Sequence, residues 1–186
     1  MKKIIFAFAV VVITTLAATN KVTAQKAGSN LMMEAVTALA IDKSTEATKE
    51  LAKDVVNPKA LRHFEKSFKN ATGVKWMGLT DGFMARFAHN DIIERIFYHS
   101  NGNLAGTLKG YSNNNMPEEI RNEIKYTYGG YAITYVDEAS AESVPGITAY
   151  IIHLQGINDL KVVRICDGEM DVLFDSEKNA KNPGRF

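Results

Sequence analysis

From Pro58 onward, apolar positions recur first at helical spacing and then at strand spacing, and this happens twice. Leu61, Phe64, Glu65 and Phe68 trace a mostly apolar i, i+3, i+7 stripe behind Pro58, which predicts a helix through Lys69. Pro117, Glu118 and Glu119 open a second helix, whose Ile120, Ile124 and Tyr128 share one face. Its two glutamates favour the positive end of the helix dipole. After each helix comes a polar or glycine turn and then alternating apolar positions, at Val74-Lys75-Trp76 and at Tyr131 to Val136. Second strands follow at Phe83 to Ala88 and Ile147 to Gln155, and third strands at Ile92 to Tyr98 and Leu160 to Cys166. Asn101-Gly102 and Asp167-Gly168 are hairpin dipeptides, because their residues tolerate positive φ. Short fourth strands are expected at Leu104 to Leu108 and Met170 to Phe174.

The pattern reads as an α+β fold of two tandem helix-plus-antiparallel-sheet units, α-β-β-β-β repeated. The first occupies residues 58–110 and the second 117–175, with a connector at 111–116 and a polar tail at 176–186. The interval from Phe68 to Gly102 is 34 positions and that from Tyr128 to Gly168 is 40, so the second unit carries a surplus, placed in a loop over 139–146. Residues 25–57 are poor in aromatics and rich in Ala, Thr, Lys and Glu, which suits a linker or a marginal helix capped at Ser44 and ending at Val56.

Residues 1–24 stand apart. Lys2 and Lys3 precede an apolar run from Ile4 to Ala18, and Val22-Thr23-Ala24 forms a small-x-small site before Gln25. This is the order of a secretory signal peptide, and the run is too short for a membrane span. The expected location is therefore the periplasm or the extracellular space. Gln25 occupies the place where a lipoprotein needs cysteine, so no lipid anchor is expected, and no membrane span after cleavage.

Composition narrows the function by exclusion. Without the export segment, 19 basic and 21 acidic side chains remain, with no basic stripe, so nucleic acid is not an expected partner. Cys166 is the single cysteine, which rules out an intramolecular disulfide. It lies in the apolar run Val162-Val163-Arg164-Ile165, where a buried, unreactive thiol is expected. His63, His89, His99 and His153 show no zinc-site spacing, although His89 and His99 flank one hairpin and could approach each other. There is no nucleophile elbow and no phosphate-binding glycine loop. A Cys166–His153 pair would lack an orienting third group. No catalytic residue, metal ligand or cofactor is assigned, and the chain is read as a non-enzyme.

The sheet offers the better functional argument. Phe83, Ala85 and Phe87 face the core by alternation, which turns Met84 and Arg86 outward with Ile93, Arg95 and Phe97. Arg, Met and aromatic side chains together have the composition of an interface core. Tyr135, near the second helix-to-strand corner, joins the candidate partner-binding residues, and Tyr111 is a further exposed candidate.

The helix ending Phe68-Lys69-Asn70-Ala71, the strand Val74-Lys75-Trp76, the aromatic strand Phe83-Met84-Ala85-Arg86-Phe87 and the hairpin from Tyr98 to Gly102 resemble the PepSY-like, beta-lactamase-inhibitor-like proteins of bacterial envelopes. Pro117-Glu118-Glu119-Ile120, Tyr128 to Ile133 and Asp167-Gly168 extend the resemblance over 58–175. It implies a beta-lactamase-inhibitor-protein-like fold and an exported, non-catalytic role in binding protein or peptide on the sheet face. Inhibition or chaperoning of an envelope hydrolase is the concrete version. The alternative is a module that binds a small ligand or serves a structural role in the envelope, which a closed cavity would favour.

Overall fold

The computed structural model describes residues 50–177. The export segment, most of the 25–57 stretch and the end of the polar tail lie outside them. Strand β1 (Glu50–Leu51) leads through a 3-10 turn at Lys53–Val55 into helix α1 (Pro58–Ser67). Strands β2 (Lys75–Leu79), β3 (Gly82–His89), β4 (Ile92–His99) and β5 (Leu104–Tyr111) follow. After a 3-10 turn at Asn113–Asn115 come helix α2 (Glu118–Thr127) and strands β6 (Ala132–Ala141), β7 (Thr148–Gln155), β8 (Leu160–Cys166) and β9 (Glu169–Asp175).

All nine strands form one antiparallel sheet in the order β1 to β9. This corrects the expected pair of tandem helix-sheet units. Strands β5 and β6 pair over six positions, from Gly106 opposite Ala141 to Tyr111 opposite Val136, and the sheet runs through without a break. Chemistry on both strands favours this joint: Thr107 and Ser140 hydroxyls are hydrogen bonded at 2.7 Å, and Lys109 meets Glu138 at 3.1 Å. Two further expectations change with it. Strand β6 continues to Ala141, past the loop start expected at 139, and the end of the 25–57 stretch supplies strand β1 beside Trp76 and Met77.

Both helices pack on the same face of the sheet. In α1, the Asn57 side chain accepts from the Lys59 amide at 2.9 Å and Pro58 takes the first turn, so the helix starts where its free amides are capped. Asn57 Nδ2 also donates to the Ser100 carbonyl at 3.0 Å, which ties the helix start to the β4–β5 hairpin. Gly102 in that hairpin has φ +81°, and a Cβ there would lie 2.6 Å from Asn57 Oδ1, so only glycine serves. Ala60 and Phe64 of α1 bury against Trp76, Ala85, Phe87, Ile96 and Tyr98. Ile124 of α2, with Ile120 and Tyr128, buries against Tyr111, Val136, Ile152, Leu154, Val163 and Ile165. Alternation then fixes the other face of every strand, and no helix of the described residues covers it.

At the edge of the α2 core, Lys161 Nζ bridges Asp159 at 3.1 Å and Asp175 at 3.0 Å, while Tyr131 donates to Asp159 at 2.6 Å. The tyrosine hydrogen bond, helped by Lys161 against the opposing effect of burial, holds the Asp159 carboxyl below the usual range. A carboxyl depressed on folding contributes stability that is present at neutral pH and is lost as pH falls below about 4 toward the folded value. Tyr131→Phe should therefore lower the urea midpoint at pH 7, and the gap to the parent should shrink by pH 3. A gap of constant size would show that only packing was lost.

Candidate functional site

The cross-strand register sorts the open face into rows. One row runs Met84, Phe97, Gly106, Ala141 across β3 to β6. The next runs Lys75, Arg86, Arg95, Leu108, Ala139, Ala149, Cys166, Glu169 across β2 to β9. A third runs Ala88, Ile93, Gly110, Asp137, Ile151, Arg164, Asp171. A fourth begins with Tyr135, His153 and Val162. The six residues expected to bind a partner, Met84, Arg86, Ile93, Arg95, Phe97 and Tyr135, thus share one side of one sheet.

They differ in access. Met84 and Phe97 are 6% and 3% exposed, packed with Leu108, Ala139, Ala141, Ala149 and Cys166. The β6–β7 loop contributes to this cluster: Val144 is buried within it and Ile147 packs against it. The Glu142 amide donates to the Ala105 carbonyl at 3.0 Å, fixing the loop to β5. These apolar side chains therefore support the face from within. Arg86 is exposed, and Ile93, Arg95 and Tyr135 are half-buried.

Beside the apolar cluster lies a polar band. Arg95 Nη1 stands 3.8 Å from Asp137 Oδ1, and neither atom has a hydrogen bond. His153 Nε2 is 3.8 Å from the other Asp137 oxygen. Arg164 pairs with Asp171 while its Nε is buried without a partner. Tyr135 lies across Gly110, so close that a Cβ there would come within 1.8 Å of the tyrosine oxygen. The glycine leaves room for the hydroxyl end of the tyrosine. Its ring also meets His153 edge-on, with centroids 6.0 Å apart. The unpaired atoms are themselves buried, so the band is under-satisfied within the face and not at its surface.

Asp137, His153 and Arg164 were not among the residues selected by sequence. Asp137, at the end of the strand expected from Tyr131, sits in mid-β6. The other expectations resolve as follows. Tyr111, expected as an exposed candidate, is buried on the helix side and donates to Glu138 at 2.7 Å. His89 and His99 lie at opposite ends of the β3–β4 hairpin, opposite Ile92 and Gly82, and do not meet. Cys166 is 1% exposed, and burial pushes its thiol up. His153 is opposite Val162, four residues from Cys166, which places the two about 13 Å apart along the strand. The drawn thiol–imidazole pair does not form.

On the helix side, Leu61, Phe64, Phe68, Ala71, Val74 and Trp76 line a cleft of about 220 Å³. It is below the roughly 300–1,000 Å³ of small-molecule pockets and does not favour a closed ligand site.

No family model matches the sequence, and no curated protein matches it. The fold is shared with solved Bacteroides structures. A DUF2874 family protein from Bacteroides ovatus superposes with a TM-score of 0.54 at 15% identity, covering 64% of this chain and 89% of that one. A BLIP-like protein from Bacteroides fragilis gives 0.53 at 16% identity, covering 64% and 84%. A Bacteroides eggerthii protein provisionally described as periplasmic gives 0.52 at 12%, covering 64% and 87%. At such identities the likeness establishes a BLIP-like fold and nothing about chemistry.

Proposed function

We propose that this chain is an exported, non-catalytic binding protein that receives a protein or peptide on the open sheet face, in its concrete form as an inhibitor or chaperone of an envelope hydrolase. The observation that carries the reading is the polar band itself. Half-buried Arg95, Asp137 and Arg164 form charged pairs on a face that both helices leave bare, with exposed Arg86 and half-buried Ile93, Ile151 and Tyr135 on the same face. Such a mixture of arginine, tyrosine and aliphatic surface suits macromolecular recognition. The BLIP-like fold and the neighbour with a periplasmic description support an exported role. Among the described residues, no helix is long and apolar enough to cross a membrane.

The test is site-directed photo-crosslinking in envelope extract. A crosslinking residue at Ile93, on the open face, is expected to trap a discrete protein that one at Tyr126 does not. Tyr126 is the control because it is 94% exposed and lies on α2. Equal trapping from both positions, or none from Ile93, would overturn the reading.

A further inference from the structure

Lys75, Arg86 and Arg95 stand directly opposite one another on three neighbouring strands, all on the open face. Like charges in register across a sheet repel and cost stability, so a protein selected for stability alone would not line up three of them. Each has a different degree of compensation. Lys75 meets Glu50 at 3.2 Å in an exposed pair, which counts for little in water. Arg95 has Asp137 at 3.8 Å without a hydrogen bond, and its Nη1 is left unsatisfied. Arg86, between them and exposed, has no acidic partner among the described residues. With Glu50 beside Lys75 and Asp137 beside Arg95, the uncompensated positive charge of the row sits on the exposed Arg86.

Resting on the open-face reading, we infer that this row receives an acidic segment of the protein partner, two carboxylates seated on Arg86 and flanked by Lys75 and Arg95. The spacing fits. Three adjacent strands place the outer two cations about 10 Å apart, and alternate residues of an extended segment place two carboxylates about 7 Å apart. The guanidinium of Arg86 offers a fork suited to bidentate carboxylate binding. An extended polyanion such as nucleic acid fits poorly, because the row holds a single uncompensated cation, and Asp137 and Glu50 stand at its two ends. Ile93 and Tyr135, beside the cations, offer apolar contact that a peptide can use and a free inorganic anion cannot.

The experiment measures binding of three labelled ten-residue peptides, alternating Glu-Ala, Gln-Ala and Lys-Ala, to the exported chain, with inorganic phosphate as competitor. The Glu-Ala peptide should bind at least tenfold more tightly than the other two, and more weakly as salt rises. Arg86→Gln should weaken it about tenfold, the loss of one charge-assisted contact. Arg86→Glu should abolish binding while raising the melting midpoint, since repulsion toward Lys75 and Arg95 becomes attraction. Equal binding of the Glu-Ala and Gln-Ala peptides, unchanged affinity in Arg86→Gln, or full displacement by phosphate at matched charge would each overturn the acidic-segment inference. If that happens while Ile93 still traps a protein, the open-face reading stands and only its partner chemistry is wrong.

Discussion

Replacing Phe64 with alanine is expected to lower the free energy of unfolding by about 3–5 kcal/mol, the usual cost of removing a buried aromatic ring. Phe64 is the centre of the α1 core. Its ring stacks on Phe68 at 5.0 Å and meets Trp76 and Phe87 edge-on at 5.4 and 5.6 Å. The neighbours cannot close the gap easily, because Trp76 is fixed by β2–β3 pairing and Phe87 by β3–β4 pairing. The more informative result is the shape of the transition. Because β5 and β6 join the whole sheet, loss of packing under α1 should destabilise the strands under α2 as well. Trp76, the single tryptophan, reports the α1 core by fluorescence, while circular dichroism reports the full sheet. The two urea curves should shift together as one transition. Separate midpoints, with half the dichroism surviving the fluorescence change, would mean that the β5–β6 joint does not couple the two cores.

That coupling is what the sequence left invisible. The helices, the alternation in each strand and the hairpins at Asn101-Gly102 and Asp167-Gly168 are local signals, and local backbone chemistry decides them. In the structure Asp167 and Gly168 both adopt positive φ, as a two-residue hairpin requires, whereas at Asn101-Gly102 only the glycine does. The side of the sheet on which Met84, Arg86, Ile93, Arg95 and Phe97 lie follows from the same alternation. The β5–β6 pairing is different, because α2 and its connector separate the strands and two separate sheets would satisfy each local pattern equally well. Its only trace is complementary side chains, Thr107 with Ser140 and Lys109 with Glu138, which mean nothing until the register is known. Asp137 and His153 were missed for the same reason. Asp137 reaches Arg95 only through that joint, and His153 reaches Asp137 from the neighbouring β7, so neither belongs to a constellation until Arg95 is brought in. Asp137 was moreover expected at the end of its strand. Burial of Met84 and Phe97 was likewise hidden, since the loop carrying Val144 and Ile147 offers no sequence mark of where it packs.

A second substitution tests how strictly the hairpin under this face is built. Gly82→Ala is expected to cost about 2–3 kcal/mol, near the top of the usual range for overpacking. A Cβ at Gly82 would fall 1.9 Å from the Tyr98 carbonyl oxygen, 3.0 Å from its carbon and 3.1 Å from His99 Cα. These are backbone atoms, so no rotamer change can make room and β4 itself must move. Displacing it there disturbs both faces at once. Tyr98 points into the α1 core, with its hydroxyl 2.9 Å from His63, while the preceding residue, Phe97, belongs to the apolar cluster beneath the open face. Gly146→Ala is the control for backbone freedom alone. Its φ is +83° and nothing lies within 4 Å of the added methyl, so its cost should be about 1 kcal/mol, that of a left-handed residue. Urea unfolding of the two variants separates the causes. A larger loss for Gly82→Ala at an unchanged denaturant slope identifies the β3–β4 contact as the constraint. Equal losses would mean that the strands yield at this end and that the open face is less rigid than the register implies.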